Sequence, residues 1–384
     1  MRSACSLILI AAFISCATAG SPPEGAVDRA TLQSLEAAQQ SLRAAPDSEA
    51  NRLTLASLYL KVGQNHSAIE TLQAYLQSHP EAPKTLRLLA VAYLRAEDYA
   101  AAKDSVERAL RFGQRDSAGV QVLAMAQLGL QAADAAEGLF REAVKLDPDS
   151  AEANLQLGLL YTKQRRNPEE AVRLLEKART LQPNVAGTYS ALGSALLESG
   201  HAREAAKSLE TAIRLAPDSA ESYYLLASAY RQIHEDDKAA TALTAFNVRK
   251  KADADQRARE MRSRADYEEG VNLLSNTEQL DKAYEALAKA VKELPTFDPG
   301  YYRMAQVSYL KGDLKNALAS IREALQLKPL EPEYYYVLAR CLEDTDQRAA
   351  LEAIDKAVGL RPGVPDFEDL LRELKSKAAL KPPA

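Results

Sequence analysis

The stretch from Ala186 to Pro217, AGTYSALGSALLESGHAREAAKSLETAIRLAP, predicts two helices joined by a short turn. Its first half carries apolar residues at spacings of three and four, which form one face of a helix: Tyr189, Leu192 and Leu196. Ser199-Gly200 predicts the end of that helix, because glycine tolerates the positive φ that a helix end needs. A second apolar face follows, and Pro217 prevents the second helix from continuing.

The same pattern recurs at a period of 34 residues along most of the chain. Three slots carry it, namely a Leu followed by a small residue, then an Ala, then a Pro: Leu123-Ala124, Leu192-Gly193 and Leu226-Ala227; Ala136, Ala205 and Ala239; Pro148, Pro183 and Pro217. Gly193 in the first slot would let a neighbouring helix approach closely. A single helix pair cannot bury its apolar face, whereas stacked pairs bury a continuous one. The repeat therefore predicts a stack of helix pairs.

This repeat resembles the tetratricopeptide repeat, whose 34-residue signature contains L-G-x2-Y, then A-x3-F, then P. One segment shows it with a one-residue insertion near Arg165-Arg166: Leu157-Gly158, Tyr161, Ala171, Leu175, Ala178 and Pro183. The resemblance implies an all-α fold, a right-handed α-solenoid of about nine tetratricopeptide helix pairs. We also expect a leading helix before the stack and a C-terminal capping helix after it.

The repeats are expected in two runs separated by a charged segment. A leading helix and six repeats are predicted over residues 31–246, and three further repeats over residues 264–362. Residues 247–263 contain no Gly or Pro and are predicted to form a charged helical connector. It is either a basic docking surface or a solvated helix with mixed charges. Residues 363–384 are predicted to form a capping helix and tail, with an inward apolar face of Phe367, Leu370, Leu371 and Leu374.

The N-terminus has the features of a targeting segment. Arg2 precedes an apolar run from Ala4 to Ile14 that is too short to span a membrane comfortably, and Ala17-Thr18-Ala19 is an A-x-A cleavage site. We expect a signal peptide over residues 1–19, a flexible tether over residues 20–30 and export to the periplasm or the medium. In the alternative, Cys16 carries lipid and anchors the chain in the outer membrane. No later stretch is apolar enough to cross a bilayer.

Composition argues against nucleic acid binding and gives no support for catalysis. The formal net charge is −5, which leaves no basic footprint for nucleic acid. No two of the four histidines share a helix face at metal-ligand spacing, and the nucleotide-binding and hydrolase motifs are absent. Cys341 is expected to be a small buried hydrophobic residue rather than a reactive thiol. The sequence thus predicts a non-enzymatic protein with no cofactor and no metal.

In the family that this sequence resembles, the first helix of each pair lines a concave groove. Counting along the repeats places tyrosine, arginine and amide side chains in it: Tyr224, Arg231, Asn272, Tyr302, Gln306, Tyr309, Tyr336 and Arg340. Tyr and Arg are enriched at binding hot spots. The preceding residues Tyr223, Tyr301 and Tyr335 are predicted to occupy the core, and their partners face about 100° away. Those partners either bind a ligand or only pack helix against helix.

A basic group in the second repeat is a further candidate. Lys84, Arg87 and Arg95 resemble the cationic clamp with which some family members hold a C-terminal carboxylate, although the asparagines of that clamp are missing. Together these features predict a protein–protein interaction scaffold of the bacterial cell envelope that binds a peptide or protein in its groove. The alternative is an envelope glycan-binding protein that uses groove tyrosines and amides.

Overall fold

A computed structural model describes residues 29–380, and all regular secondary structure in that range is helical. The helices are α1 (Arg29–Ala44), α2 (Glu49–Lys61), α3 (Asn65–Leu76), α4 (Pro83–Arg95), α5 (Tyr99–Phe112), α6 (Ser117–Gly129), α7 (Ala133–Leu146), α8 (Ala151–Gln164), α9 (Pro168–Leu181), α10 (Ala186–Glu198), α11 (Ala202–Leu215), α12 (Ala220–Gln232), α13 (Asp236–Leu273), α14 (Leu280–Glu293), α15 (Asp298–Leu310), α16 (Leu314–Leu327), α17 (Pro332–Leu342), α18 (Gln347–Leu360) and α19 (Pro365–Leu380). A short 3₁₀ turn covers Thr277–Gln279.

The all-helical repeat fold is confirmed, with differences at its edges. The predicted signal peptide, Cys16, nearly all of the predicted tether and the last four residues lie outside the described range. The leading helix begins at Arg29, so residues 29 and 30 belong to α1 rather than to the tether. The capping helix runs from Pro365 to Leu380, within the range predicted for it and the tail.

Several first helices begin with a side-chain cap, and the turn that follows the first helix recurs in most pairs. Ser150 Oγ accepts a hydrogen bond from the backbone N–H of Ala153 at 3.2 Å, and Asp116 Oδ1 accepts one from Gly119 at 2.9 Å. Such caps satisfy N–H groups that have no partner inside the helix. The turn between the two helices of most pairs places at least one residue at positive φ: Gly63, Glu97, Gln131, Arg165 with Asn167, Gly200, His234 and Gly312.

The core lies between the helices, and glycines allow neighbouring helices to approach closely. Leu209 of α11 is fully buried. A Cβ atom added to Gly193 of α10 would stand 2.4 Å from Leu209 Cγ, and one added to Gly158 of α8 would stand 2.7 Å from Leu175 Cγ. These distances are too short for any side chain, so the predicted close approach at Gly193 is confirmed.

Helix α13 interrupts the regular alternation of helices and turns. It continues unbroken from Asp236 to Leu273, so the second helix of the sixth pair and the first helix of the seventh are one helix. The chain divides into two compact units within this helix: unit 1 contains Ala30–Ala252, and unit 2 contains Asp253 and the described residues after it, together with Arg29. The repeat start that the sequence predicts at Arg264 therefore falls inside a helix and not after a turn.

The C-terminal helix covers the last pair as the sequence predicts. Phe367, Leu370 and Leu374 of α19 are buried in one cluster with Ile354 and Ala357 of α18. Leu371, which was also predicted to face inward, is only half-buried. Among residues 29–380, we find no helix that combines the length and the hydropathy needed to cross a membrane.

Candidate partner-binding surface

Five of the predicted groove residues lie on two neighbouring helices of unit 2. Helix α15 carries Tyr302, Gln306 and Tyr309, and the spacings of four and three place them on one helix face. Helix α17 carries Tyr336 and Arg340, again four residues apart. We call these five residues the Tyr–Arg face.

Tyr302 is fixed from two sides. Its ring stacks on Tyr334 of α17, with centroids 4.8 Å apart and planes 28° from parallel. Its hydroxyl accepts a hydrogen bond from Gln306 Nε2 at 2.8 Å, and Gln306 Oε1 accepts one from Arg303 Nη1 at 2.7 Å. The Arg303 guanidinium lies 5.4 Å from the centre of the Tyr302 ring, within the range of a cation–π contact. Tyr302 thus has one ring orientation set before any ligand arrives.

Tyr309 and Arg340 are linked through an acidic residue. Arg340 Nη1 lies 3.2 Å from Glu343 Oε2, and the Tyr309 hydroxyl donates a long hydrogen bond of 3.4 Å to Glu343 Oε1. The Arg340 guanidinium also lies 5.9 Å from the Tyr309 ring centre. These contacts join α15 to α17 and present a ring and a cation side by side.

Tyr336 lies at the boundary with the capping helix. Its ring centroid is 5.4 Å from that of Phe367 on α19, and the planes are inclined by 32°. The Tyr–Arg face is therefore connected, through aromatic contacts, to the helix that closes the stack.

Burial raises the pKa of several tyrosine hydroxyls at this face. It raises the pKa of the Tyr302 hydroxyl and of the Tyr309 hydroxyl above the ordinary value, although Arg340 opposes the rise at Tyr309. Burial also raises the pKa of Tyr334, and the hydrogen bond to Asp298 adds to that rise. All three hydroxyls thus stay protonated at neutral pH and can donate hydrogen bonds.

Three predicted groove residues lie outside helices α15 and α17. Tyr224 and Arg231 belong to unit 1, where Tyr224 is exposed over 52% of its surface and its ring lies 5.4 Å from that of Phe246. Arg231 and Asn272 are also exposed. Asn272 stands near the end of α13, in unit 2.

The predicted basic group of the second repeat does not form an open clamp. Arg87 Nη1 lies 2.7 Å from Asp116 Oδ2, so its charge is paired within the chain. Arg95 Nη1 donates a hydrogen bond to the carbonyl of Leu60, and burial lowers the pKa of this guanidinium. Only Lys84 is exposed. Two of the three cations in the predicted clamp are therefore already engaged within the chain.

The tyrosines predicted for the core are not the buried ones. Tyr223, Tyr301 and Tyr335 are half-buried, whereas Tyr334 is only 6% exposed. Tyr335 instead donates a hydrogen bond to the carbonyl of Pro329 at 2.9 Å, six residues earlier. The same hydrogen bond to a carbonyl six residues earlier is donated by Tyr189, Asn154 and Arg52, which bond to Pro183, Pro148 and Pro46 respectively. In these four repeats the position ties the first helix to the loop before it, while the rings of Tyr301 and Tyr335 pack at the edge of the core.

Sequence reasoning also missed three residues that support the Tyr–Arg face, namely Arg303, Tyr334 and Glu343. Glu343 follows Arg340 by three residues, a spacing at which opposite charges meet on a helix, so this signal was available. Tyr334 was hidden by the run Tyr334-Tyr335-Tyr336, since three consecutive tyrosines point in three directions and their pattern alone does not fix the register.

The rest of the described chain offers no obvious reactive centre. Within residues 29–380, no cluster of three or more His, Cys, Asp or Glu side chains is arranged to hold a metal. Cys341 is buried as predicted, and burial raises the pKa of its thiol to about 11. A thiol with that pKa stays protonated at neutral pH and is a poor nucleophile.

Comparison with solved structures finds tetratricopeptide proteins. The structure "YrrB: a TPR protein with an unusual peptide-binding site" is 21% identical with a TM-score of 0.38, and the match covers 49% of this chain and 96% of that one. MamA from AMB-1 is 23% identical with a TM-score of 0.40 over 44% and 98% of the two chains. MamA from Desulfovibrio magneticus RS-1 is 19% identical with a TM-score of 0.41 over 44% and 96%. No curated protein matches the chain.

Family profiles match the chain over most of its described length. The tetratricopeptide repeat profile matches residues 53–117, 122–186 and 190–254, which together make up about half of the chain. A second profile, the second ARM domain of tetratricopeptide repeat protein 21, matches residues 266–345. The chain belongs to the tetratricopeptide repeat family.

Proposed function

We propose that this chain is a non-enzymatic interaction scaffold that binds an extended segment of a protein partner on its Tyr–Arg face. Tetratricopeptide domains bind protein or peptide partners, and this chain has their fold. The observation that carries the proposal is the network around Tyr302 and Tyr309, in which hydrogen bonds and ring contacts hold the side chains before binding. Holding side chains in place beforehand lowers the entropy cost of binding.

The chemistry of the face favours a peptide with acidic or carbonyl groups beside an apolar side chain. Tyr302, Tyr309 and Tyr336 offer ring surface, while their hydroxyls can donate or accept hydrogen bonds. The Arg303 guanidinium places a positive charge 5.4 Å from the centre of the Tyr302 ring. Arg340 is a second cation next to Tyr309, although Glu343 offsets part of its charge.

We also propose that the protein works in the bacterial cell envelope. The support is the N-terminal sequence, with its apolar run and the A-x-A site at Ala17-Thr18-Ala19. In this proposal the mature chain starts at Gly20 and is periplasmic or secreted. Mass spectrometry of the protein recovered after export tests this, and a chain that begins at an acylated Cys16 would replace it with a lipid-anchored form.

A capture experiment tests the proposed binding. The full-length exported protein and its Tyr309→Ala/Arg340→Gln variant are immobilised and incubated with envelope extract. We expect the variant to keep its circular dichroism spectrum and to lose most of the captured protein, since anchor residues at an interface can each contribute roughly 2 kcal/mol or more. Arg322→Ala, an exposed change on α16, is the matched control.

Pretreatment of the extract separates a protein partner from a glycan. Protease digestion should abolish capture, and glycan-degrading enzymes should leave it unchanged. If capture survives the protease and fails after glycan digestion, the glycan alternative is correct. If the double variant captures as much as the control variant, the Tyr–Arg face is not the binding surface.

A further inference from the structure

The second helix of the sixth pair is less covered than its equivalents. Each second helix carries one large apolar residue four positions after its repeat alanine, and in the other eight pairs this residue is fully buried: Leu72, Val106, Phe140, Leu175, Leu209, Leu287, Ile321 and Ile354. In the sixth pair the residue is Leu243, and it is only half-buried. The difference marks a surface at the end of unit 1.

The residues around Leu243 show the same loss of cover. Ala206 of α11 is only 4% exposed, whereas Ala240, its equivalent in α13, is exposed. Ala212 of α11 is 1% exposed, whereas its equivalent Phe246 is half-buried. We call Tyr224, Ala240, Leu243, Phe246 and Asn247 the open face.

The cause lies in the course of the chain. After α11 the chain turns, and α12 packs back against α11. After the first part of α13 there is no turn, and unit 1 ends at Ala252. Unit 1 therefore contains no further helix after the sixth pair to cover the open face. The ends of helical repeat stacks need a cap with a polar outer surface.

The ninth pair shows what this chain places on the equivalent face. There the amphipathic helix α19 covers Ile354 and Ala357 with Phe367, Leu370 and Leu374. These three residues follow a spacing of three and four, and acidic residues stand in the first turn of α19. An amphipathic helix is thus an occupant that fits this kind of surface.

Charge at the open face favours an acidic occupant. Lys250 Nζ lies 5.6 Å from the Phe246 ring centre, and both Lys250 and Lys251 are exposed. Arg249 adds a third positive charge, and its guanidinium lies 4.0 Å from the Tyr223 ring centre. A partner with acidic residues beside its apolar stripe would complement this rim.

We propose that the open face binds an acidic amphipathic helix of a partner protein, with large apolar residues at positions i, i+3 and i+7. This site is independent of the Tyr–Arg face, which belongs to unit 2. It makes the basic stretch after Phe246 part of a docking surface, and the partner helix takes the place of the missing cap.

A peptide taken from this chain provides the probe. A fluorescent peptide of residues 364–380, together with three versions that replace Phe367, Leu370 or Leu374 by Ala, is titrated against the full chain. The alanine versions are included because Phe246 stands where the ninth pair has Ala357, so the open face favours a smaller residue opposite it. We expect at least one peptide to bind, and to bind at least about tenfold more weakly to the Ala240→Glu variant.

Two controls show whether a loss of binding comes from the open face itself. Ala240 is exposed, so the substitution should leave the melting curve unchanged, and Ala135→Glu makes the same change at an exposed alanine of α7. The peptide could also displace α19 from the ninth pair, but that displacement would be equal in the parent chain, Ala240→Glu and Ala135→Glu. The proposal fails if none of the peptides binds, or if binding is the same in Ala240→Glu and Ala135→Glu. It also fails if the chain self-associates through this face, shown by a dimer that Ala240→Glu disrupts.

Discussion

Tyr334 donates a hydrogen bond of 2.5 Å from its hydroxyl to Asp298 Oδ2, and both side chains are more than nine-tenths buried. The bond joins α17 to the first turn of α15, beneath the Tyr–Arg face. Tyr334 also supports the ring of Tyr302, so the position of a proposed binding residue depends on a buried carboxylate behind it.

Removing this hydroxyl should destabilise unit 2 without removing the ring contact. In Tyr334→Phe the carboxylate of Asp298 loses its hydrogen bond and keeps only Lys328, whose Nζ is 3.9 Å from Oδ1. A buried polar group without a partner costs about 1–3 kcal/mol. Urea unfolding should show a loss of this size. Tyr335→Phe is the control, because the Tyr335 hydroxyl is only half-buried and its removal should lower the free energy of unfolding less. Equal losses in the two variants would mean that the bond to Asp298 contributes no more to stability than the bond of Tyr335.

Stability should depend on pH through Glu331. Burial raises the pKa of this carboxyl above the ordinary glutamate value, and the carboxylates of Glu333 and Asp298 add to the rise, while Lys328 opposes it. Above the raised pKa the folded chain bears the cost of a buried charge. As the pH falls through the raised pKa towards the ordinary one, the folded state takes up the proton before the unfolded state does, so the cost disappears.

Glu331→Gln should therefore raise the melting temperature at pH 7, and the gain should vanish at about pH 4, near the ordinary pKa of glutamate. Melting curves of both proteins between these pH values measure the difference. A gain that stays constant across the range would mean that charge burial is not its source.

The close approach of α10 and α11 predicts opposite effects at two glycines. Gly193→Ala puts a methyl group against Leu209 and should cost about 1–3 kcal/mol, as overpacking does. A Cβ added to Gly187, in the same helix, meets nothing within 4 Å. Gly187→Ala should therefore stabilise by roughly 0.5–1 kcal/mol through helix propensity. If both substitutions shift the denaturation midpoint in the same direction, the packing described here between α10 and α11 is wrong.

The repeat could be predicted from the sequence because one rule recurs many times. Leu209 and Gly193 follow from spacing alone, and so does the inward face of Phe367, Leu370 and Leu374. The tyrosine register could not be predicted in the same way. Whether Tyr334 or Tyr335 is buried depends on where α17 starts. Counting by 34 residues does not fix that start, because the ninth repeat, which ends at Pro362, is one residue short.

The proposed binding surface could be predicted only in part from the sequence. Counting positions found Tyr302, Tyr309 and Arg340, since these follow the helical period. It did not find that Arg87 is paired with Asp116, because the two residues are 29 positions apart and meet only through packing of successive pairs. Distance in the chain hides such pairs, whereas the Arg340–Glu343 pair lies within one helix.

The capping helix should carry a measurable part of the stability of unit 2. Leu374 is fully buried, and Leu374→Ala should cost roughly 2–5 kcal/mol, while Lys375→Ala, an exposed neighbour, should stay within about 0.5 kcal/mol. Deleting residues 366–384 should lower the melting temperature and cause association, because the apolar face of α18 is uncovered. A monomeric deletion variant with an unchanged melting temperature would show that α19 is not a cap.

Site-specific photocrosslinking can show whether the Tyr–Arg face contacts a protein partner. Tyr309 is replaced by a photoreactive phenylalanine, which keeps a ring at the Tyr–Arg face, and Arg322 is replaced in the same way on an exposed position of α16. Each full-length protein is irradiated in envelope extract and analysed by mass spectrometry. We expect a protein adduct at position 309 that is lost when Arg340→Gln is added, and no adduct at position 322. Adducts of equal amount at both positions, or an adduct at position 309 that Arg340→Gln leaves unchanged, would contradict that expectation.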